Sequence, residues 1–307
     1  MRIGGHVLVT CPLILCFKFP KRNDLGTSNR DIMTNDSNHL FQGRLIAIGG
    51  NEDKVDELVV LQRVVKEIGK TEFKVGVITT ASQEPEKRGK DYHRVFTTLG
   101  ATEIEILNIK TRAQANDGNL AKKLKKIDLV FLAGGDQLRL TTIIGGSAML
   151  QAIQDRLHAG ALIAGTSAGA AVFSDTMIYE GKSEDGLIKG SVLTTSGFGF
   201  VENIVFDTHF MSRGRIGRLV QIVTTNPTCL GVGIGEDSGV VFKGDGTVEV
   251  VGTGQVIIVD GKDIIHSNML GIEQGMSIAV ENVRIHSLVN GYGYNFKRRK
   301  FLVPSTA

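Results

Sequence analysis

From Leu45 onward, short apolar runs alternate with stretches of helical periodicity, and this alternation restricts the available folds more than any other feature of the chain. Leu45-Ile46-Ala47-Ile48 reads as a strand ending in Gly49-Gly50. From Asp56 to Ile68, apolar residues at Leu58, Val59, Leu61, Val64, Val65 and Ile68 fall at helical spacing, with charges between them. Lys74 to Thr79 reads as a second strand, followed by a charged helix through Phe96. Glu103 to Leu107 and Leu129 to Ala133 supply two more strands, the latter ending at Gly134-Gly135, and Ala161-Leu162-Ile163-Ala164 supplies a fifth. Strands that alternate with helices imply right-handed βαβ crossovers, hence an α/β fold with a mainly parallel sheet flanked by helices. After Ile234 the pattern changes to short strands separated by Gly-Asp-Gly and Asp-Gly-Lys turns, which predicts C-terminal antiparallel hairpins. No interdomain linker or internal repeat is visible, so residues 41–307 are expected to form a single domain.

The fifth run leads into Gly165-Thr166-Ser167-Ala168-Gly169 and then into the small-residue stretch Ala170-Ala171-Val172-Phe173. A buried strand passing into a helix through G-x-S-x-G describes a nucleophile elbow, in which the glycines relieve a tight turn and the serine is presented at the strand's carboxyl edge. The free N–H groups of the new helix point at that same edge, where an oxyanion would form. The alternative is a glycine-rich turn with a structural or phosphate-binding serine. Gly134-Gly135 at the end of the fourth strand could add a second backbone donor beside Ala168. A nucleotide role fits the glycine loops poorly, because neither G-x-G-x-x-G nor G-x-x-x-x-G-K-[ST] is present.

A serine nucleophile needs a base, and the base needs an orienting acid. His209 differs from the other six histidines in following the apolar pair Val205-Phe206 at a predicted strand end, with a basic cluster behind it. Functional groups in open α/β sheets gather beyond the carboxyl ends of strands. A satisfied structural histidine is the alternative. For the acid, Glu236-Asp237 closes the short run Gly231-Val232-Gly233-Ile234-Gly235, just before the strand Val240-Val241-Phe242. A carboxylate wedged between buried strands requires a hydrogen-bonding partner, which an imidazole N–H would provide; a solvated Asp-Ser-Gly turn is the competing reading.

Taken in order, Gly49-Gly50-Asn51-Glu52-Asp53-Lys54, Gly134-Gly135-Asp136-Gln137, Gly165-Thr166-Ser167-Ala168-Gly169-Ala170, Asp207-Thr208-His209-Phe210 and Gly235-Glu236-Asp237 resemble cyanophycinase. That family belongs to the serine peptidases that also contain the aspartyl dipeptidases, or peptidase E. The similarity runs from about Arg44 to about Pro304 and includes Val250-Val251-Gly252-Thr253-Gly254-Gln255-Val256. The resemblance implies a class I glutamine amidotransferase-like scaffold and a Ser–His–Glu triad of Ser167, His209 and Glu236. It also implies a substrate site with Gln137, Asp207, Thr208, Arg213, Arg215 and Arg218, and cyanophycin or β-aspartyl peptides as substrate. Thr208 stands where the family usually has Gln and reaches less far; Asn51 stands where many relatives have Ala. Arg213, Arg215 and Arg218 cannot all share one helical face at spacings of two and three. An aspartyl or isoaspartyl dipeptidase of the peptidase E type, with a smaller substrate, is the alternative, and a non-catalytic binding protein on the same scaffold is the second alternative.

Composition supports this class. A formal charge of +3, 6% aromatic residues and no Trp leave no nucleic-acid footprint. Cys11, Cys16 and Cys229 are too scattered for a disulfide framework or a metal site, so no metal or cofactor is expected. The apolar run from Val7 to Phe17 is too short to span a bilayer, and Phe17-Lys18-Phe19-Pro20-Lys21-Arg22 is a poor signal-peptidase substrate. Residues 1–40 are read as a disordered extension, a signal, or an upstream addition to a true start at Met33. The expectation is a cytoplasmic homodimer, with secretion as the alternative.

Overall fold

The apolar runs become strands, and five of them lie side by side in parallel. The computed structural model describes residues 44–304; the extension over residues 1–40, its apolar run and Met33 lie outside the described residues. The chain passes through β1 (Arg44–Ile48), α1 (Val59–Ile68), β2 (Lys74–Ile78), α2 (Pro85–Thr98), β3 (Glu103–Leu107) and the short helices α3 (Arg112–Ala115) and α4 (Gly118–Lys122). It continues through β4 (Leu129–Leu132), α5 (Gln137–Ile144), α6 (Ala148–His158), β5 (Leu162–Thr166) and α7 (Ala168–Ala171). A hairpin, β6 (Thr176–Glu180) and β7 (Leu193–Ser196), precedes β8 (Ile204–Thr208), α8 (Ile216–Thr225) and β9 (Leu230–Ile234). The remainder is strand: β10 (Ser238–Lys243), β11 (Thr247–Gly252), β12 (Val256–Asp260), β13 (His266–Ser267), β14 (Val280–Glu281), β15 (Arg284–Leu288), β16 (Gly293–Asn295) and β17 (Lys300–Leu302).

β1, β5, β4, β2 and β3 are parallel neighbours in that order. The sheet is extended beyond β1 by β10, β11, β16 and β17, each antiparallel to the strand before it, giving nine strands in all. This is the mainly parallel α/β architecture with antiparallel additions that the periodicity predicts. The second sheet is not evident from periodicity. It is four-stranded, in the order β15-β12-β9-β8, and its β8–β9 pair is parallel.

Alternation along the central strands explains the layering. Ile46, Ile48, Val75, Val77, Leu129 and Phe131 share one buried face with Val60, Leu61 and Val64 of α1 and Tyr92, Val95 and Phe96 of α2. Leu45, Ala47, Val130, Leu132 and Ile163 point to the other face, toward α5, α6 and α7 and the inner side of the second sheet. Parallel strands covered on both faces read as unbroken apolar runs, because neither side chain set meets water. Leu219 and Val223 of α8 close the outer side of the second sheet against Val205, Ile257 and Val259.

One boundary differs from the periodicity. Helix α1 begins at Val59 rather than Asp56, because the Asp53 carboxylate accepts N–H groups from Val55, Asp56, Glu57 and Leu58 and folds that stretch into a closed loop. Those bonds, the Val55 N–H first among them, hold the Asp53 carboxyl far below the ordinary range. Leu58, at φ 53°, makes the left-handed bend from which the helix starts.

Candidate active site

The site is assembled beyond the carboxyl ends of strands from both sheets. β5 delivers Ser167, β8 delivers His209, and β9 leads through Gly235 to Glu236. At the elbow a Cβ on Gly165 would lie 2.2 Å from the carbonyl oxygen of Gly169, and one on Gly169 would lie 2.1 Å from that of Leu132. Only glycine allows the strand, the turn and the helix to approach so closely. Ser167 takes up the remaining strain at φ 53°, ψ −115°, a conformation that non-glycine residues hold only where the surroundings impose it.

The end of β1 and the loop after it act as a jig for the backbones that carry these side chains. The carbonyl of Ile48 accepts the N–H of Ser167 (2.9 Å), that of Gly49 accepts the N–H of His209 (2.8 Å), and that of Gly50 accepts the N–H of Asp237 (3.0 Å). Three consecutive carbonyls thus fix Ser167, His209 and Asp237, the neighbour of Glu236. His209 itself sits at φ 50°. Its imidazole lies directly over Gly50, where a Cβ would come within 2.5 Å of Cε1 and Nε2; glycine is required there.

The side chains then fall into line. Ser167 Oγ is 3.0 Å from His209 Nε2, and His209 Nδ1 is 2.7 Å from Glu236 Oε1. In the tautomer that satisfies both contacts, Nδ1–H donates to the carboxylate and Nε2 accepts from the serine hydroxyl. His209, then Ser212 and Asn51, hold the Glu236 carboxyl below the ordinary value. Ser212 Oγ donates to its Oε1 (3.1 Å) and Asn51 Nδ2 to its Oε2 (3.3 Å). The ionised acid is therefore poised to receive an imidazolium.

The N–H of Ala168, at the first position of α7, has no intrahelical acceptor by the geometry of helix starts. Gly134 packs against the nucleophile closely enough that a Cβ on it would lie 3.1 Å from that of Ser167. Gly135 follows at φ 147°, with its Cβ direction filled by the carbonyl of Ala81. Gly134, Gly135, Ser167, His209 and Glu236 border a cleft of about 660 Å³. The cleft lies beside the ends of β2 and β4, adjacent strands whose connections run in opposite directions, which is where open α/β sheets place their ligands.

Comparison with known proteins bears on what this geometry belongs to. Residues 45–250 match the family model of peptidase family S51. The chain belongs to peptidase family S51. Among curated relatives, the cyanophycinase of Synechococcus elongatus is 34% identical over 281 residues, covering 91% of this chain and 87% of that protein. The cyanophycinase of Trichormus variabilis is 36% identical, covering 84% and 87%, and that of Geminocystis herdmanii is 35% identical, covering 84% and 95%. The fold is shared with a crystal structure of a peptidase from an acI-B1 actinobacterium, at a TM-score of 0.62 and 22% identity over 84% of this chain and 98% of that one.

The other residues of the expected S51 substrate site are differently placed. Asp207, at the end of β8, is buried between two arginines. Arg218 sets Nε 2.9 Å from its Oδ2 and donates from Nη1 to the carbonyl of Gly181. Arg215 reaches its Oδ1 at 3.1 Å and the carbonyl of Thr208 at 2.8 Å. Burial pushes the Asp207 carboxyl up from the ordinary value, against the pull of Arg218 and Arg215. Gln137, first in α5, donates from Nε2 to the carbonyls of Ile178 and Tyr179 in β6. Arg213 alone of the three arginines is exposed, in the turn before α8, and its guanidinium makes no hydrogen bond among the described residues. Breaking a buried pair leaves an uncompensated charge. Arg218→Met should therefore cost about 3 kcal/mol in urea denaturation, whereas Arg213→Met should stay within roughly 0.5 kcal/mol. Equal stability of both variants would show that the Asp207 cluster does not support the fold.

Sequence reasoning passed over a second network below the cleft. Glu52 is buried, accepts from Thr166 Oγ1 (2.6 Å) and from the Tyr92 hydroxyl, and pairs with Lys54 Nζ at 2.8 Å. Burial pushes its carboxyl up, but Lys54, then Thr166 and Tyr92, bring it below the ordinary value. It thereby fixes Thr166, the residue immediately before the nucleophile. The motif Gly49 to Lys54 was visible in the sequence; its donors and acceptors were not. Among the described residues no group of three or more His, Cys, Asp or Glu side chains could hold a metal ion, and no helix is long and apolar enough to cross a membrane.

Asn51 has a consequence for pH dependence. Removing its amide takes one donor from a carboxylate held low partly by that donor, so the carboxylate keeps its proton to higher pH and, while ionised, attracts the imidazolium more strongly. Both effects should move the acid limb of the kcat profile of Asn51→Ala upward in pH. An acid limb identical to that of the unchanged protein would remove Asn51 from the environment of the acid.

Proposed function

We propose that this chain is a cyanophycinase, a serine-type exopeptidase that releases β-aspartyl-arginine from the end of cyanophycin. Cyanophycin is a polyaspartate backbone whose side-chain carboxylates carry arginine through isopeptide bonds. One observation carries the reading: a curated cyanophycinase is 34% identical over 91% of the chain.

The chemistry follows from the distances. Ser167 Oγ attacks the backbone amide carbon while His209 Nε2 takes its proton, and Glu236 steadies the resulting imidazolium. The carbonyl oxygen becomes an oxyanion, received by the N–H of Ala168 and a glycine N–H of the 134–135 pair; losing one such donor costs roughly 10²–10³ in turnover. The C–N bond breaks as His209 returns the proton to the leaving amine. Water, deprotonated by His209, then attacks the acyl ester and Ser167 is regenerated. Arg213, whose guanidinium makes no hydrogen bond among the described residues, is the arginine available to bind a substrate carboxylate through its planar fork. Arg215 and Arg218 are already paired with Asp207, and Gln137 and Thr208 are the other residues assigned to substrate binding in this reading. The homodimer remains part of the proposal; sedimentation velocity reads it directly.

Incubating the purified protein with insoluble cyanophycin and reading the products by mass spectrometry tests the proposal. Release of β-aspartyl-arginine is expected. Cleavage confined to short β-aspartyl peptides would favour an aspartyl dipeptidase of the peptidase E type, and no cleavage of either would favour a binding protein on this scaffold.

A further inference from the structure

One stripe of α2 and its N-cap borders the same cleft as Ser167, His209 and Glu236. Glu84, Arg88 and Tyr92 all border the cleft and follow one another at four-residue spacing, so they stand above one another on one helix face. They also form a gradient of depth. Tyr92 is 1% exposed and its hydroxyl is fixed by Glu52, whereas the side chains of Arg88 and Glu84 are 40% and 65% exposed.

Most other charged groups bordering the cleft are already engaged. Glu236 serves His209, Ser212 and Asn51; Glu52 serves Lys54, Tyr92 and Thr166; Lys54 gives two contacts to Glu52, one to its carboxylate and one to its carbonyl. Among the described residues Arg88 has only Asp91, at 3.8 Å, too far for a hydrogen bond. Among the described residues the Glu84 carboxylate has only the solvated Lys87, at 3.3 Å, a kind of surface pair that exchanges readily. One guanidinium and one carboxylate, a single helical turn apart, thus face the cleft with their hydrogen-bonding capacity largely free.

We infer that Arg88 and Glu84 form a recognition subsite for the zwitterionic arginine branch of the substrate, Arg88 binding its α-carboxylate and Glu84 its guanidinium. This rests on the cyanophycin reading of the active site. Each repeat of that polymer carries one free carboxylate and one guanidinium, separated by the length of an arginine side chain. Four residues of helix give a rise of about 6 Å, which suits two ends of one such side chain. The deeper position holds the cation and the rim the anion, so the branch lies with its carboxylate toward Tyr92 and its guanidinium toward solvent. Both contacts are charge-assisted and bidentate in capacity.

Calorimetry on Ser167→Ala protein separates the two contacts, with β-aspartyl-arginine and β-aspartyl-leucine as ligands. R88A should weaken both ligands by about tenfold to a hundredfold, the range of a charge-assisted bond, and R88K should not restore the fork. E84Q should weaken β-aspartyl-arginine and leave β-aspartyl-leucine unchanged, since the second ligand has no guanidinium. Unchanged affinity in R88A, or equal losses for both ligands in E84Q, would overturn the subsite. Its failure is distinct from failure of the proposed function, which depends on whether the unmutated protein releases dipeptide from the polymer. If the polymer is not cleaved yet the ligand pattern holds, the subsite stands and the polymer reading falls.

Discussion

Ser167→Ala protein is expected to fold normally and to lose hydrolysis by about 10⁴-fold or more, the order seen when a residue of a triad is deleted. The hydroxyl's side-chain hydrogen bond is to His209 Nε2, and that imidazole borders the open cleft, where water can take the hydroxyl's place. The positive φ of the elbow is held by the Ile48 carbonyl and by the two glycine contacts rather than by the hydroxyl, and alanine meets the same backbone. Steady-state hydrolysis of cyanophycin, with circular dichroism and melting temperature as controls, reads both halves of the expectation. Retention of more than a few per cent of activity would take Ser167 out of the mechanism. A melting temperature far below that of the unmutated protein would mean instead that the hydroxyl is structural.

The acid gives the second large effect, and it comes with an internal comparison. Three donors converge on the Glu236 carboxylate: His209 Nδ1, Ser212 Oγ and Asn51 Nδ2. A glutamine offers one oxygen and an NH₂ group that is itself a donor. Either the imidazole loses its acceptor and its tautomer, or Asn51 faces another donor. Glu236→Gln should lower kcat by about 10⁴, as an amide does in an equivalent position, with KM little changed because the acid does not touch substrate. Asp237→Asn should be mild. The Asp237 Oδ1 accepts the N–H of Asp53 (3.0 Å) and its Oδ2 accepts the hydroxyl of Thr253 (2.6 Å). An asparagine keeps the first bond, and the second survives by rotation of the hydroxyl. Asparagine is also well suited to the φ of 47° at this position. The reverse ranking of these two variants would place the acid one residue later.

Sequence period made the five central strands and the elbow legible because those strands are buried on both faces, so nothing interrupts the apolar runs. The start of α1 was misjudged because apolar spacing is blind to the Asp53 carboxylate, which captures the N–H groups that a helix would use. Placement of β8 and β9 in a sheet of their own was not legible either: pairing partners depend on contacts across the whole chain, and a strand's own residues do not encode them. Within the site, residue types at strand ends pointed to Ser167, His209 and Glu236. Side-chain direction is a different matter. Nothing in the run from Asp207 to Arg218 indicates that two of its arginines turn inward to a buried aspartate while the third faces solvent.

The jig formed by Ile48, Gly49 and Gly50 has a consequence for biosynthesis. These residues emerge from the ribosome before any of the groups they hold, and β1 must also receive β10, from much later in the chain, along its other edge. Contacts of such long sequence separation form late. A growing chain that has already displayed Ser167 still lacks His209, Glu236 and the strand that closes the central sheet. On the proposed triad, peptidase activity cannot precede synthesis of Glu236, and a chain broken off anywhere before it carries Ser167 with no complete triad to activate it. The order of assembly itself keeps the enzyme silent during its own synthesis.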